Sequence, residues 1–422
     1  MTTVMNSSDT GVVVIGGGAA GVAPARRLHD AGIACLLVEA RSRLGGRAFT
    51  VHTSDGVPID LGCGWLHSAD RNSWVEIAKA QGREIDTSAP PWAKRSDPRG
   101  FSFPEQAAFG EAFGKFYERL EAADLEETRD VAASSFLEPG NRWNPLINAA
   151  STYIRGAYLD RLSALDLRRY DGNEVNWRVP DGYGTLVAVH AGPVPVMFDC
   201  PVQRIDHSGK RVRVETAKGV ITADAVIVTL PTPVLAQEAV TFFPALPEKI
   251  DAAVGLPLGH DDKLFVSLSN AEEFGNDSRL FIRTDRGETP AYQFRPFGRP
   301  QIEIYFGGPL AVSLEGEGDA AFFEFARDEL ASLLGNDFRQ RIAPLGVHRW
   351  GADEYARGAY SYASPGNAGA RGILAAPVDD RLFFAGEACS AKDFSTAHGA
   401  YLTGIAAAGA AIAARQRGKI PR

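Results

Sequence analysis

The sequence predicts an α/β fold in two domains: a Rossmann-like dinucleotide-binding domain and a second, α+β domain. Three observations predict it. A β-branched strand runs into glycines at 11–18, and a helix and a second apolar strand complete a β-α-β unit by residue 40. Apolar strands of the same kind return near 225 and near 383, with other material between them. The cofactor domain is therefore expected to be discontinuous, built from 1–70, 190–240 and 340–422, with 71–189 and 241–339 forming the second domain.

Bulk properties narrow the function classes. A chain of 422 residues suits about two or three domains and buries a core without disulfide or metal staples. A hydrophobic fraction of 45% with 23% charged residues is that of a soluble globular protein. The net charge of −8 argues against a nucleic-acid partner, which needs a basic stripe. Cys35, Cys63, Cys200 and Cys389 are scattered without a C-x-x-C pair, which fits a reducing cytoplasm. No early window pairs a basic segment with an apolar one, so no signal peptide is expected. The apolar stretch at 399–414 is too short and too rich in Ala and Gly for a membrane span. The eight histidines show no metal-ligand spacing, and no metal is expected. A homodimer stays open.

Element by element, 11–18 reads as a buried strand, 19–32 as a helix closed by Gly32, and 33–40 as a second strand ending at Glu39. Pro24 falls just past the helix's first turn, where it removes a hydrogen bond and is expected to kink it. Helical patterns occupy 71–130 and continue patchily to about 170. Residues 204–231 alternate at period 2 around a turn at Ser208 and Gly209, then end in a continuous apolar strand. Further strands, KLFVSLS, LFIRT and QIEIYFGG, are expected over 262–306, then a helix near 318–334. A last strand at 381–387 and a small-residue helix at about 398–415 close the chain.

The glycine loop carries the first chemistry. Gly16 permits the tight turn, Gly18 lets the backbone approach a pyrophosphate, and Gly21 allows close helix–strand contact, with Ala20 between them. The helix N-terminus presents unpaired N–H groups to phosphate. Glu39 follows Gly21 by eighteen residues, at a strand end suited to a ribose hydroxyl pair, and disfavours a 2′-phosphate. The next segment, EARSRLGGR at 39–47, contains Ala40 and Arg41, and separates FAD from NAD. Gly45 and Gly46 give a second close backbone approach, and Arg47 supplies a cation for the long FAD pyrophosphate.

With that segment the chain resembles the flavin amine oxidase family, which includes monoamine and polyamine oxidases. IDLGCGWLH (59–67), VPDGYGTL (179–186, with Asp181 where Gly is common), HRWGADEYARGAYSY (348–362) and LFFAGEACS…TAHGAYLTG (382–404) are similar to family segments in the family's order. The resemblance implies a GR2-type FAD domain with noncovalent FAD, because Ala359 stands where some members carry a cofactor-linking cysteine. It implies cofactor contacts from Gly62, Gly64, Trp65, Val202, Trp350, Gly386, Glu387, Ala397 and His398, with Glu387 taking ribityl hydroxyls and the last helix aimed at the flavin pyrimidine. Tyr360 and Tyr401 stand where the family places aromatic walls around the substrate nitrogen, with Tyr355 and Tyr362 as rivals to Tyr360. Lys263 stands where the family carries a lysine reaching flavin N5 through water, and a lowered pKa is expected of it. Strand alternation puts Lys263, Phe265 and Ser267 on one face. His67 lines the cavity or serves as a structural imidazole.

The implied activity is oxidation of a small-molecule amine, with molecular oxygen as acceptor. The rivals are an L-amino-acid oxidase, a desaturase, and a catalytically silent flavin-bound interaction protein. An amino-acid oxidase needs an arginine facing the flavin, and Arg155, Arg168, Arg178 and Arg295 are the candidates.

Overall fold

The computed structural model describes residues 9–126 and 129–418. Residues 1–8 and 419–422, assigned above to the ends of the cofactor domain, and 127–128 within the first helical region lie outside the described residues.

The central strand Asp9–Ile15 lies between two parallel neighbours, Cys35–Val38 and Gly219–Val228. Alternation decides what each residue packs against. Val12 and Val14 enter a core with the helices Ala19–Asp30, Tyr183–His190 and Ala397–Gln416, while Val13 and Ile15 enter a core on the opposite face. Val226–Val228 also pairs in parallel with Leu382–Phe384, so a strand more than 150 residues downstream closes the same sheet. The first half of Gly219–Val228 pairs instead with the antiparallel strand Val212–Thr216, itself paired with Val202–Asp206.

A second sheet of five antiparallel strands runs in the order Ser278–Leu280, Ala291–Phe294, Gln301–Gly307, Asp261–Leu268 and Ile342–His348. Leu264, Val266, Ile302, Ile304 and Phe306 pack against the helices Gly308–Glu317 and Asp319–Leu334. The helices Phe103–Ala122 and Asn144–Arg155 form a further core with Trp143 and Phe281.

Several expectations change. The strand Ile342–His348, allotted above to the cofactor domain, is the edge of the second sheet, where it pairs with Asp261–Leu268. The helix Tyr183–His190, allotted to the second domain, buries Tyr183, Leu186 and Val187 on the Rossmann-like sheet. The strand expected at LFIRT (280–284) lies instead at Ser278–Leu280, sharing only Leu280 with it, and finds its partner in the AYQF segment at Ala291–Phe294. One expectation holds: the helix survives Pro24 and runs over Ala19–Asp30. There Pro24 is buried at the crossing with the last helix, close to Gly404.

That crossing is tight. A Cβ on Gly404 would lie 2.5 Å from the Ala20 carbonyl oxygen and 2.8 Å from Pro24 Cδ. The helix Ala397–Gln416 is apolar and long enough to cross a bilayer, yet 44% of its apolar window is buried inside the protein. Gly404→Leu should force the two helices apart and lower stability by about 1–3 kcal/mol, read from the denaturant midpoint.

Candidate active site

A cavity of about 1300 Å³ opens at the C-terminal ends of the parallel strands, lined there by Ile15, Val38, Thr229 and Gly386, and continues to the second sheet. Ligands of open α/β sheets bind at such strand ends.

Its first half is a phosphate cradle built from backbone. Gly16 sits at φ +102° and Gly45 at +100°, conformations that favour glycine. Gly45 N donates to Gly17 O at 2.9 Å, which joins the two glycine segments. A Cβ on Gly18 would meet nothing nearer than 3.8 Å, so that face is open to a ligand. Gly21 does not line the cavity: its Cβ would fall 1.7 Å from Gly16 O, so it lets the helix sit against the loop. Glu39, 3% exposed, accepts from Gly17 N at 2.6 Å and Arg41 N at 2.8 Å, which fixes both ends of the cradle around one carboxylate. Arg41 pairs with Asp353 beneath Tyr355.

Arg47 and Glu387 meet across the cavity at 3.0 Å. Glu387 also accepts from Ser361 Oγ at 2.6 Å, Ser361 N at 3.1 Å and Ser395 N at 2.9 Å. Burial alone would raise its carboxyl, but Arg47, Ser361, Arg371 and Ser395 outweigh it and hold it below the usual value of 4.5. The last helix starts at this point. Thr396 caps it by accepting from Gly399 N at 3.0 Å, and Thr396, Ala397 and Ala400 line the cavity, so its N-terminal dipole faces the interior.

Ala20, Ala40, Gly46, Gly62, Gly64, Trp65, Val202, Trp350 and His67 all line the same cavity. Trp350 Nε1 donates to Leu61 O at 3.0 Å, holding the Gly62 turn, where a Cβ would lie 1.8 Å from Arg47 O. The loop glycines, the acid, the facing arginine and the helix N-terminus fit a two-nucleotide cofactor with a pyrophosphate in the middle.

The second half is made by one face of the antiparallel sheet. Directly opposed residues share a face, so Lys263 stands with Tyr305, and Arg279 with Gln293 and Glu303. Asp261, two residues before Lys263, lies on the same face. Lys263 pairs with Glu303 at 2.9 Å and donates to Asp60 O at 3.3 Å. The expected lowered pKa is overturned: burial pulls it down, but the Glu303 carboxylate and Tyr305 outweigh burial and raise it above the ordinary lysine value. Asp261 is 8% exposed, its Oδ1 has no hydrogen-bond partner, and burial pushes its carboxyl up to about 8.

Tyr360 lines the cavity with its hydroxyl donated to Tyr153 O at 2.8 Å, whereas Tyr362 is buried in the helical core and Tyr355 stands beside Arg41 at the Glu39 end. Tyr401 is not a cavity wall. One residue after Ala400, it turns about 100° around the helix and packs edge-on against Trp74, with ring centroids 5.1 Å apart, and against His190. His398 also lies outside the cavity, buried with Nε2 3.4 Å from Asp393 Oδ1. Beside Tyr360, the aromatic residues lining the cavity include Tyr305, Tyr170, Tyr153, Trp92 and Trp65, of which only Trp65 was singled out in the sequence. Tyr305 sits in a plain alternating strand, and Tyr170 in a segment without a motif.

The profile of the family described as "Flavin containing amine oxidoreductase" matches residues 19–412. The chain belongs to this family. It is an FAD-dependent amine oxidoreductase. It is 29% identical to Polyamine oxidase 3 of Oryza sativa subsp. japonica, over 94% of this chain and 88% of the rice protein. It is 26% identical to Lysine-specific histone demethylase 1 homolog 3 of Arabidopsis thaliana, over 93% of this chain and 29% of that protein. The fold matches that of wild-type putrescine oxidase bound to putrescine with a TM-score of 0.78 and 17% identity, covering 97% of this chain and all of the other.

His67 Nδ1 donates to Asn176 Oδ1 at 2.7 Å, and burial first, then neighbouring cations, depress its imidazole to about 4. Above its ordinary value of 6.5 the ring is neutral in both folded and unfolded chains, and its contribution is complete. Between 6.5 and 4 the unfolded chain takes up a proton that the folded chain refuses, so stability falls as pH falls. Relative to His67→Gln, the wild type should lose on the order of 2–3 kcal/mol across that window, measured by denaturant unfolding at stepped pH.

Proposed function

We propose that the enzyme oxidises the α C–N bond of a neutral primary or secondary amine held between Tyr360, Tyr305 and Lys263. The observation that carries this is the continuity of one cavity from the FAD cradle to that sheet face. Bound FAD would supply two-electron oxidation of the amine to an imine, which water would hydrolyse to an aldehyde or ketone, with oxygen as the final acceptor and hydrogen peroxide as its product.

The chain's residues supply placement. Tyr360 is fixed by its bond to Tyr153 O, so its ring is a rigid wall that excludes water and orients the amine. An ammonium carries three donors. Lys263 spends one on Glu303 and one on Asp60 O, which leaves the third N–H for the cavity or a water held there. Being held charged, Lys263 serves as a fixed positive dipole source and donor near the reacting end, which favours negative charge developing there.

Noncovalent FAD and a cytoplasmic setting are part of the proposal. Ala359 offers only its carbonyl, which accepts from Arg47 at 2.6 Å. Cys63 lines the cavity, but burial pushes its thiol up to about 12, so it is no nucleophile. All four cysteines are free thiols, as a reducing compartment allows.

Anaerobic mixing of the FAD-loaded protein with a panel of amines should bleach the oxidised-flavin absorbance, and a flavin that stays oxidised with every amine would overturn the reading. Lys263→Met should then slow reoxidation by oxygen by about 10²-fold in stopped-flow traces, and an unchanged rate would remove Lys263 from that role.

A further inference from the structure

The cationic side chains of the cavity divide into two groups. Arg47 pairs with Glu387, Arg41 with Asp353 and Lys263 with Glu303. Of the four arginines considered above for a carboxylate, Arg178 pairs with Asp86 and Asp277. Arg168 donates to Ala123 O and Leu125 O, and Arg295 to Phe274 O.

Arg155 differs from all of these. It lines the cavity at 7% exposure, and among the described residues its side chain has no ion-pair partner and no hydrogen-bond acceptor, with Nε buried and unsatisfied. The helix Asn144–Arg155 ends there because Gly156 turns the chain at φ 72°, so the side chain leaves the last turn beside the cavity. Its guanidinium carbon lies 4.0 Å from the Tyr170 ring centroid and 5.4 Å from that of Phe394. It is near enough to His67 and Tyr360 to act on both electrostatically.

A guanidinium brings five N–H donors out of water, and ring stacking replaces only part of that solvation. Arg279 is a second cavity arginine without a carboxylate partner, stacked 4.7 Å from the Phe281 centroid. The acids that face these cations from the cavity lining are few. Asp261 is buried with its Oδ1 unpartnered and its carboxyl beside the Tyr360 hydroxyl, while Glu121, Glu174 and Glu354 are exposed to solvent. A polycation would meet two uncompensated arginines in this chamber.

We propose that the amine substrate carries a carboxylate, as an amino acid does, and that Arg155 binds it through its planar fork while the amine nitrogen lies against Tyr360. The proposal rests on the amine-oxidation reading above and goes beyond it in naming the substrate class. It departs from the polyamine and putrescine oxidases that the chain resembles, on the strength of this chain's own charges.

The test uses substrates that differ only by that group. FAD-loaded enzyme is assayed with ornithine against putrescine, and with phenylalanine against phenethylamine. The expected result is a kcat/KM ratio of at least about 100 in favour of the carboxylate member of one or both pairs, falling at least about 100-fold in Arg155→Met and partly kept in Arg155→Lys. A wild-type preference for the decarboxylated member of both pairs, or a ratio unmoved by Arg155→Met, overturns the proposal and leaves amine oxidation standing. No flavin bleaching with any member overturns both readings. Should Arg155→Met not fold, benzoate titration of the wild-type holoenzyme decides. A saturable change in the flavin spectrum with Kd near or below about 1 mM supports carboxylate binding, and no change overturns it.

Discussion

The arrangement turns on one buried carboxylate. Glu387, 5% exposed, ends the strand Leu382–Phe384 and accepts from four donors drawn from three distant segments. An isolated buried carboxylate would cost too much to keep charged, so each donor is held where it is by the need to satisfy it. Arg47 comes from the second glycine loop, Ser361 from the segment that carries Tyr360, and Ser395 from the approach to the last helix. Ser361 Oγ in turn accepts from Arg371 at 2.9 Å, and Arg371 makes a two-pronged pair with Asp166 at 2.7 and 2.8 Å. The network therefore ties the FAD cradle, an aromatic wall and the helical part of the second domain into one unit. Moving any one of them would leave a charge unpaired.

Around that fixed point the two halves of the cavity use different physics. The cofactor half is made of main chain: glycine turns, strand ends and helix N-termini, whose dipoles and N–H groups suit a phosphate-rich ligand whatever side chains surround them. The substrate half is made of side chains on one face of a pleated sheet and on two helices, so its chemistry follows the identity of every second residue. A single substitution there changes the ligand without disturbing the fold, because the opposite face of the same strands holds the core.

This division explains what the sequence disclosed. The cofactor half was legible because its demands are local. Gly16, Gly18 and Gly21 lie on one turn, Glu39 closes the β-α-β unit, and the Gly45–Arg47 segment follows at once. The strand at 382–384 was visible as an apolar run, although its partner at 226–228 is far away in sequence. The substrate half was mostly silent. Lys263 was found by position and by alternation, and its neighbours in the sheet follow the predicted face. Glu303, its partner, lies forty residues on, so the sign of its pKa shift could not be read from its own strand. Tyr401 misled because a helix signature fixes the turn but not which side of it meets the cavity, and Ala400 rather than Tyr401 occupies that side. Ile342–His348 contains Pro344, has exposed residues at Ala343 and Pro344, and meets its partner across a register shift at Phe265/Val266, so its pattern lacks the alternation that marks a buried strand.

Relatives bearing the names of polyamine oxidase and histone demethylase match 93–94% of this chain at 26–29% identity. Substrate choice then rests on the charges that remain once the structural pairs are removed. In this chain Lys263 is held charged against Glu303, and Arg178 against Asp86 and Asp277. Asp261 is driven toward its neutral form by burial. Among the described residues Arg155 and Arg279 line the chamber without a carboxylate partner, and Glu121 and Glu174 line it where it meets solvent. On the proposed reading, an anion attached to the amine balances those guanidinium groups better than a second ammonium would.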